Sequence, residues 1–130
     1  MSKKIIVCGG DGFCGWPTSL RLSNEGHEIL IIDNFSRRKI DSELNVQSVT
    51  PISSLEERLS EWKNQTNINI NFLEIDISKE YEKLLNSIIE FEPDAIIHFA
   101  EQRAAPYSMK SSWHKRFTIN NNINATNNIL

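Results

Sequence analysis

At 130 residues, 39% hydrophobic and 24% charged with a formal net charge of −3, the chain has the proportions of one globular domain, not of a disordered segment. No run reaches the roughly 18 apolar residues of a membrane span, the slightly acidic balance argues against bulk nucleic-acid binding, and two cysteines make neither a disulfide framework nor a zinc ligand set. The first apolar run, residues 5–8, is too short for the core of a signal peptide, so a cytoplasmic location is expected.

Residues 5–8 are continuously apolar, as suits a parallel strand covered on both faces. They lead into Gly9-Gly10-Asp11-Gly12-Phe13-Cys14-Gly15 and a helical pattern over 13–25, with Leu20 and Leu22, Pro17 near the first turn and a stop at Gly26. A second apolar strand over 28–32 ends at Asp33. The basic segment Arg37-Arg38-Lys39 follows, readable as a solvated loop or as groups that reach a ligand. Residues 53–63, with Leu55, Leu59 and Trp62, predict a helix inside a long connection. The run up to Ile75 alternates polar and apolar, the pattern of an edge strand with one wet face. A helix over 79–91 is expected to put Leu84, Leu85, Ile88 and Ile89 on one face, and it stops before Pro93. Residues 95–100 form a fourth strand. A last helix from about Ser112 carries Ile119, Ile123 and Leu130 at helical spacing, which favours a helix over a low-complexity reading of the Asn-rich stretch 120–128.

This order predicts an α/β fold, a Rossmann-like doubly wound parallel sheet of strand order 3-2-1-4. The sheet is expected to be truncated, an N-terminal part of a larger domain. The chain stops at Leu130 inside a helical pattern, and the apolar fourth strand would stand at an open edge. The alternative is a complete small flavodoxin-like domain. An uncovered edge of that kind predicts self-association, with a homo-oligomer that buries the fourth strand and final helix.

The glycine loop follows a strand and opens a helix, where dinucleotide sites need glycine for a tight turn, for bare N–H groups facing pyrophosphate and for close helix–sheet packing. Asp33, at the end of strand two, suits a carboxylate that accepts hydrogen bonds from an adenosine ribose and repels a 2′-phosphate, selecting NAD over NADP. Arg37 and Arg38 pull the other way, since an arginine there accommodates that phosphate; an Asx turn with Asn34 is the structural alternative for Asp33. Asp76, with Ile77, borders the expected adenine position or caps the next helix. His98 reads as a core residue, and Cys8 and Cys14 as buried or loop residues without redox context. After strand four, Arg103 suits an anion, and Gln102, Tyr107 and Ser108 suit a sugar, unless this is an ordinary connection.

Together, G-G-D-G-F-C-G-W at 9–16, D-N-F-S-R-R at 33–38, T-P-I-S-S-L-E-E-R-L-S-E-W-K at 50–63, D-I at 76–77 and F-E-P-D-A-I-I-H-F-A-E-Q-R-A-A-P-Y-S-M at 91–109 resemble the UDP-sulfoquinovose synthase family. This is a family of extended short-chain dehydrogenases/reductases, and the resemblance covers this chain but only the front third of a member. It implies synthesis of UDP-sulfoquinovose from UDP-glucose and sulfite, formally classed with hydrolases of carbon–sulfur bonds. Bound NAD would oxidise the sugar at C4, water would leave from C6, sulfite would add, and the hydride would return. The resemblance implies that Gly9, Gly12, Phe13 and Cys14 hold the pyrophosphate, with Asp11 in the same cofactor-binding loop. Asp33, Asn34 and Arg37 would surround the adenosine ribose, and Asp76 and Ile77 the adenine. Ala100 and Asn120 would lie near the nicotinamide, and Gln102 and Arg103 would face the sugar nucleotide. The family's Tyr-x-x-x-Lys pair has no counterpart, because Tyr81 is followed by Leu85 and Tyr107 by Ser111; no catalytic residue is expected here and the polypeptide alone should not turn over. A UDP-sugar epimerase or dehydratase fragment, and a nucleotide-binding module without chemistry, are the other readings.

Overall fold

The computed structural model describes residues 1–103 and 105–130; Ala104, within the stretch that follows the fourth strand, lies outside the described residues. β1 (Lys4–Cys8) pairs in parallel with β2 (Glu28–Asp33) on one side and β4 (Ala95–His98) on the other, so that Ile5 lies opposite both Ile29 and Ala95. β3 (Asn71–Glu74) adds to β2, giving the expected order β3-β2-β1-β4. Residues 5–8 of β1 and 29–32 of β2 are buried on both faces, which is why they read as unbroken apolar runs. β3 is an edge strand whose Asn71, Leu73 and Glu74 are exposed, in keeping with its mixed pattern.

Alternation along the strands sorts the core into two layers. Ile5, Val7, Ile29 and Ile31 pack toward α1 (Gly15–Asn24) and α3 (Leu55–Thr66), against Trp16, Leu20, Leu55 and Trp62. Ile6, Cys8, Leu30 and Ile32 pack on the other face toward α4 (Tyr81–Phe91) and α5 (Ser112–Ile129), against Leu84, Ile88 and Ala125. α1 begins two residues later than predicted, and its fully buried positions are Gly15, Ser19 and Ser23, not the half-buried Leu20 and Leu22. Small side chains let the helix approach the sheet, and the Trp62 indole N–H donates to Ser23 from α3. α3 is stopped at its start by a capping box, with Ser54 accepting from the Glu57 N–H and Glu57 accepting from the Ser54 N–H.

Three expectations are corrected. Residues 36–43 form α2 (Ser36–Glu43), not a solvated loop; Asn34 Oδ1 accepts from the Ser36 N–H to start it, and Ile40 is buried beneath it. On α4 the inner face runs through Leu84, Ser87, Ile88 and Phe91, and Ile89 turns to solvent. On α5, Ile119, Ile123 and Leu130 are exposed, whereas Thr118 and Ala125 are the buried contacts. The Asn-rich sequence is a helix that anchors through its amides. Asn122 Nδ2 donates to the Gln102 carbonyl while Asn122 Oδ1 accepts the Gln102 N–H, and Asn128 donates to the Ile77 carbonyl. Among the described residues, no helix is long and apolar enough to cross a membrane.

Candidate functional site

The carboxyl ends of the four parallel strands open into one crevice, the position where open α/β sheets take ligands. On the floor, β1 gives way to the glycine loop. Gly9 has φ +82°, and a Cβ there would meet the Phe99 carbonyl carbon at 2.7 Å and the Ala100 nitrogen at 2.8 Å. Only glycine combines that dihedral with so close an approach of the β1 and β4 ends. Gly15 is likewise buried against the Gly9 carbonyl, which seats the first turn of α1 directly over the loop. The N–H groups of Phe13, Cys14 and Gly15 have no acceptor among the described residues, and Cys14 caps the helix without a side-chain bond. They are the orphan donors of a helix start, aimed with its dipole into the crevice, and they fit a phosphate diester without any positive side chain. The Phe13 ring itself points to solvent, so its contribution would come from its backbone.

Asp33 stands at the β2 end with each carboxylate oxygen already engaged. Oδ1 accepts from the Phe35 N–H at 2.8 Å, the Asx turn weighed from sequence, and Oδ2 accepts from the Asp11 N–H at 2.9 Å. Burial pushes its pKa above the ordinary aspartate value; the two N–H bonds work against that shift and the nearby Asp11 carboxylate adds to it. A carboxylate carries about four lone-pair sites, so two remain for hydroxyl donors from a ligand. Asp76 lies across the crevice, where Oδ1 accepts from the Ser78 N–H at 3.1 Å and the Ser78 hydroxyl at 2.6 Å, with Lys79 at 3.3 Å from Oδ2. Burial opposes ionisation there, but Ser78 and Lys79 outweigh it and hold the carboxyl below its usual range. Since α4 starts at Tyr81 with Glu80 at its cap, Asp76 caps the turn before the helix and not the helix itself.

The crevice brings together Gly9, Asp11, Gly12, Phe13, Cys14, Asp33, Asn34, Arg37, Asp76, Ile77, Ala100, Gln102 and Arg103. It does not bring in Asn120, which is exposed on α5; Asn121 lines the wall instead, and Asn122 fixes Gln102. The Asn120-Asn121-Asn122 run marks the region from sequence, but only helical phase picks the member that turns inward. Tyr107 does not line the crevice. It is buried, its hydroxyl donates to Glu43 at 2.9 Å, and burial together with Glu43 pushes its pKa up to about 12. Glu43 also takes His114 Nε2 at 3.1 Å, which ties α2 to the start of α5. His98 is half-buried, with Nε2 at 2.8 Å from Glu101 Oε1. Cys8 is buried in β1, where desolvation and then Asp33 push its thiol up to about 12, while Cys14 is exposed.

Sequence reasoning missed the ion network behind the glycine loop. Asp11 is buried, and its carboxylate accepts two parallel bonds from Arg38, Nε and Nη2 both at 2.8 Å, and a third from Arg58. Arg58 also lies 4.4 Å from the Trp16 ring centroid. These partners come from α2 and α3, so their spacing from Asp11 in sequence carries no signal.

A pH test follows from Asp33. An acid whose folded pKa is raised binds its proton in the native state at a pH where the unfolded chain is still ionised. Its contribution therefore favours the fold increasingly as pH falls from the folded pKa toward the unfolded one. Urea unfolding across pH 4–7, wild type against Asp33→Asn, should show the wild type gaining stability relative to the variant on acidification. The opposite slope would mean that the two N–H bonds outweigh burial.

A family model described as the NAD dependent epimerase/dehydratase family matches residues 5–130. The chain is 41% identical over 128 residues to the chloroplastic UDP-sulfoquinovose synthase of Spinacia oleracea, covering 98% of this chain and 26% of that protein. It is 43% identical over 119 residues to the UDP-sulfoquinovose synthase of Sulfolobus acidocaldarius, covering 92% and 30%. Among solved structures, the UDP-glucose-4-epimerase of Stenotrophomonas maltophila with bound NAD and formylated UDP-arabinopyranose superposes with a TM-score of 0.69 at 20% identity, over 98% of this chain and 33% of that one. The Bifidobacterium longum UDP-glucose 4-epimerase in complex with NAD+ and UDP gives 0.66 at 20%, over 96% and 31%. At that identity the superpositions establish the fold. The chain spans about a quarter to a third of the length of these relatives. With a match that begins in β1 and continues through α5, the chain belongs to the NAD dependent epimerase/dehydratase family.

Proposed function

We propose that residues 1–130 are the N-terminal part of the NAD-binding domain of a UDP-sulfoquinovose synthase-like enzyme, which makes UDP-sulfoquinovose from UDP-glucose and sulfite in the cytoplasm. Written in reverse, that reaction is hydrolysis of a carbon–sulfur bond. The observation that carries the cofactor is the glycine loop, where free N–H groups at the α1 start and the Asp33 carboxylate face one crevice. Identity of 41–43% to two UDP-sulfoquinovose synthases, against 33% and 30% to UDP-glucose 4-epimerases of Neisseria meningitidis and Pisum sativum, favours the synthase over an epimerase.

In this reading the N–H groups of Phe13, Cys14 and Gly15 hold the pyrophosphate, with Gly9 and Gly12 keeping the floor bare. Asp33, Asn34 and Arg37 surround the adenosine ribose, Asp76 and Ile77 the adenine, and Ala100 the nicotinamide side, with Asn121 beside it rather than the exposed Asn120. Asp33 orients the ribose by accepting from its hydroxyls. When bound, NAD supplies reversible hydride removal from the sugar. Gln102, held at the far wall by Asn122, and Arg103 beside it face the sugar nucleotide. The chain has no Tyr-x-x-x-Lys pair, so these residues bind and orient but do not turn over alone.

Calorimetric titration tests the cofactor assignment. NAD should bind more tightly than NADP, and Asp33→Ala should weaken NAD by about 1–3 kcal/mol through lost bonds to a charged acceptor. Tighter binding of NADP than of NAD by the unmodified protein would sink the role given to Asp33. For the substrate wall, Arg103→Ala in the full-length protein should raise KM for UDP-glucose by about tenfold or more while NAD affinity holds, because one charge-assisted bond to the diphosphate is lost. Unchanged steady-state kinetics would return Arg103 to an ordinary connection. The reading also includes a homo-oligomer. The open β4 edge, half-exposed Phe99, and exposed Ile119 and Ile123 support self-association of the 130-residue polypeptide at micromolar concentration. A monomer in light scattering would refute it.

A further inference from the structure

Two arginines follow the Asp33 carboxylate, and of the two Arg37 reaches the crevice. Arg37 and Arg38 lie in the first turn of α2, four and five residues past Asp33, and Arg37 lines the crevice. A guanidinium fork is the side chain best matched to phosphate, so its presence beside the ribose carboxylate sets two opposite cofactor preferences next to each other. The conflict is resolved by Asp11. Its side chain is only 2% exposed, and it takes Arg38 in a bidentate pair at 2.8 and 2.8 Å. Arg38 Nη2 also donates to the Ser53 carbonyl at 2.9 Å, so both of its Nη2 hydrogens are spent on the chain itself. Arg37 Nη2 lies 3.8 Å from Asp11 Oδ2 and its Nη1 lies 3.4 Å from Asp41, which leaves it between two carboxylates. Its Nε is buried with no acceptor among the described residues, so Arg37 retains donor capacity that the fold does not use.

We propose that Asp11 is a specificity-determining residue that keeps a dinucleotide site NAD-selective by sequestering Arg38 and drawing Arg37 back from the 2′ position. The inference rests on the NAD reading above and goes beyond Asp33: exclusion of the 2′-phosphate comes from a carboxylate that repels it and from a second carboxylate that has already taken the Arg38 fork and competes for Arg37. Asp11 does this without touching the 2′ position, through the side chains of α2. Arg58 completes the arrangement from α3, bonded to Asp11 and stacked on Trp16, so the same carboxylate holds one guanidinium for structure and two for selectivity.

The test measures NAD and NADP affinities in the full-length protein for wild type, Asp11→Asn and Asp11→Asn/Arg38→Ala, with far-UV circular dichroism to verify the fold. Asparagine keeps the shape of Asp11 and removes its charge. The preference for NAD over NADP should narrow by about tenfold or more in Asp11→Asn, the size of one gained charge-assisted bond to phosphate, and adding Arg38→Ala should restore most of it. A role limited to loop structure would weaken both cofactors together and leave their ratio unchanged; that result in a folded variant overturns the proposal. Should three arginines around a neutral side chain prevent folding, Asp11→Asn/Arg58→Met removes one guanidinium and keeps Arg38. The same narrowing is expected there, and an unchanged ratio overturns the proposal equally. If the wild type binds neither dinucleotide, the NAD reading itself fails, which is distinguishable from an NAD-binding protein whose selectivity ignores Asp11.

Discussion

A side-chain hydrogen bond, added to the backbone bond from the Gly9 N–H to the Ile32 carbonyl, joins the two strand ends on which the crevice depends. The Asp11 N–H donates to Asp33 Oδ2, so the glycine loop after β1 and the turn after β2 hold each other in place. With the loop fixed there, Gly15 can sit against the Gly9 carbonyl and α1 starts with its free N–H groups over the crevice. With the turn fixed there, Asn34 starts α2 and Phe35 is held in the left-handed region at φ 55°. The Asp33 carboxylate is therefore both a structural acceptor and a group exposed to a ligand. Burial pushes its pKa up, and the backbone N–H bonds pull it the other way.

The sheet was legible because its strands report burial directly. Residues 5–8 and 29–32 are apolar without interruption, and a strand covered on two faces has no polar side to show. The glycine loop and Asp33 were legible too, since their chemistry is local and their order along the chain is the order in space. Helical faces were harder. In α5 the isoleucines at 119 and 123 share a stripe, yet the buried positions are Thr118 and Ala125, and it is the small Ala125 that packs on the sheet. In α1 the small Ser19 and Ser23 are likewise buried.

What the sequence hid was pairing across distance. Arg37-Arg38-Lys39 has the composition of a wet loop, and nothing nearby announces that Arg38 meets a carboxylate 27 positions earlier or that Arg58 meets it 47 positions earlier. Tyr107 was similarly opaque. It lies among residues suited to a sugar, but its hydroxyl reaches Glu43 on α2, 64 positions away. In both cases a polar group that looks available is spent on holding a long connection in place.

α5 crosses this arrangement as a rod fastened at four points among the described residues: His114 on Glu43, Asn122 on both backbone groups of Gln102, Thr126 on Glu101, and Asn128 on the Ile77 carbonyl. Gln102 belongs to the wall after β4, and Ile77 to the wall beyond β3. The six-residue step from Asn122 to Asn128 rises by about 9 Å in a straight helix. The spacing of the two walls is thus metered by helical pitch instead of being left to two independent loops. Tilting the rod would open or narrow the mouth at both ends together, so the gap behaves as one mechanical degree of freedom.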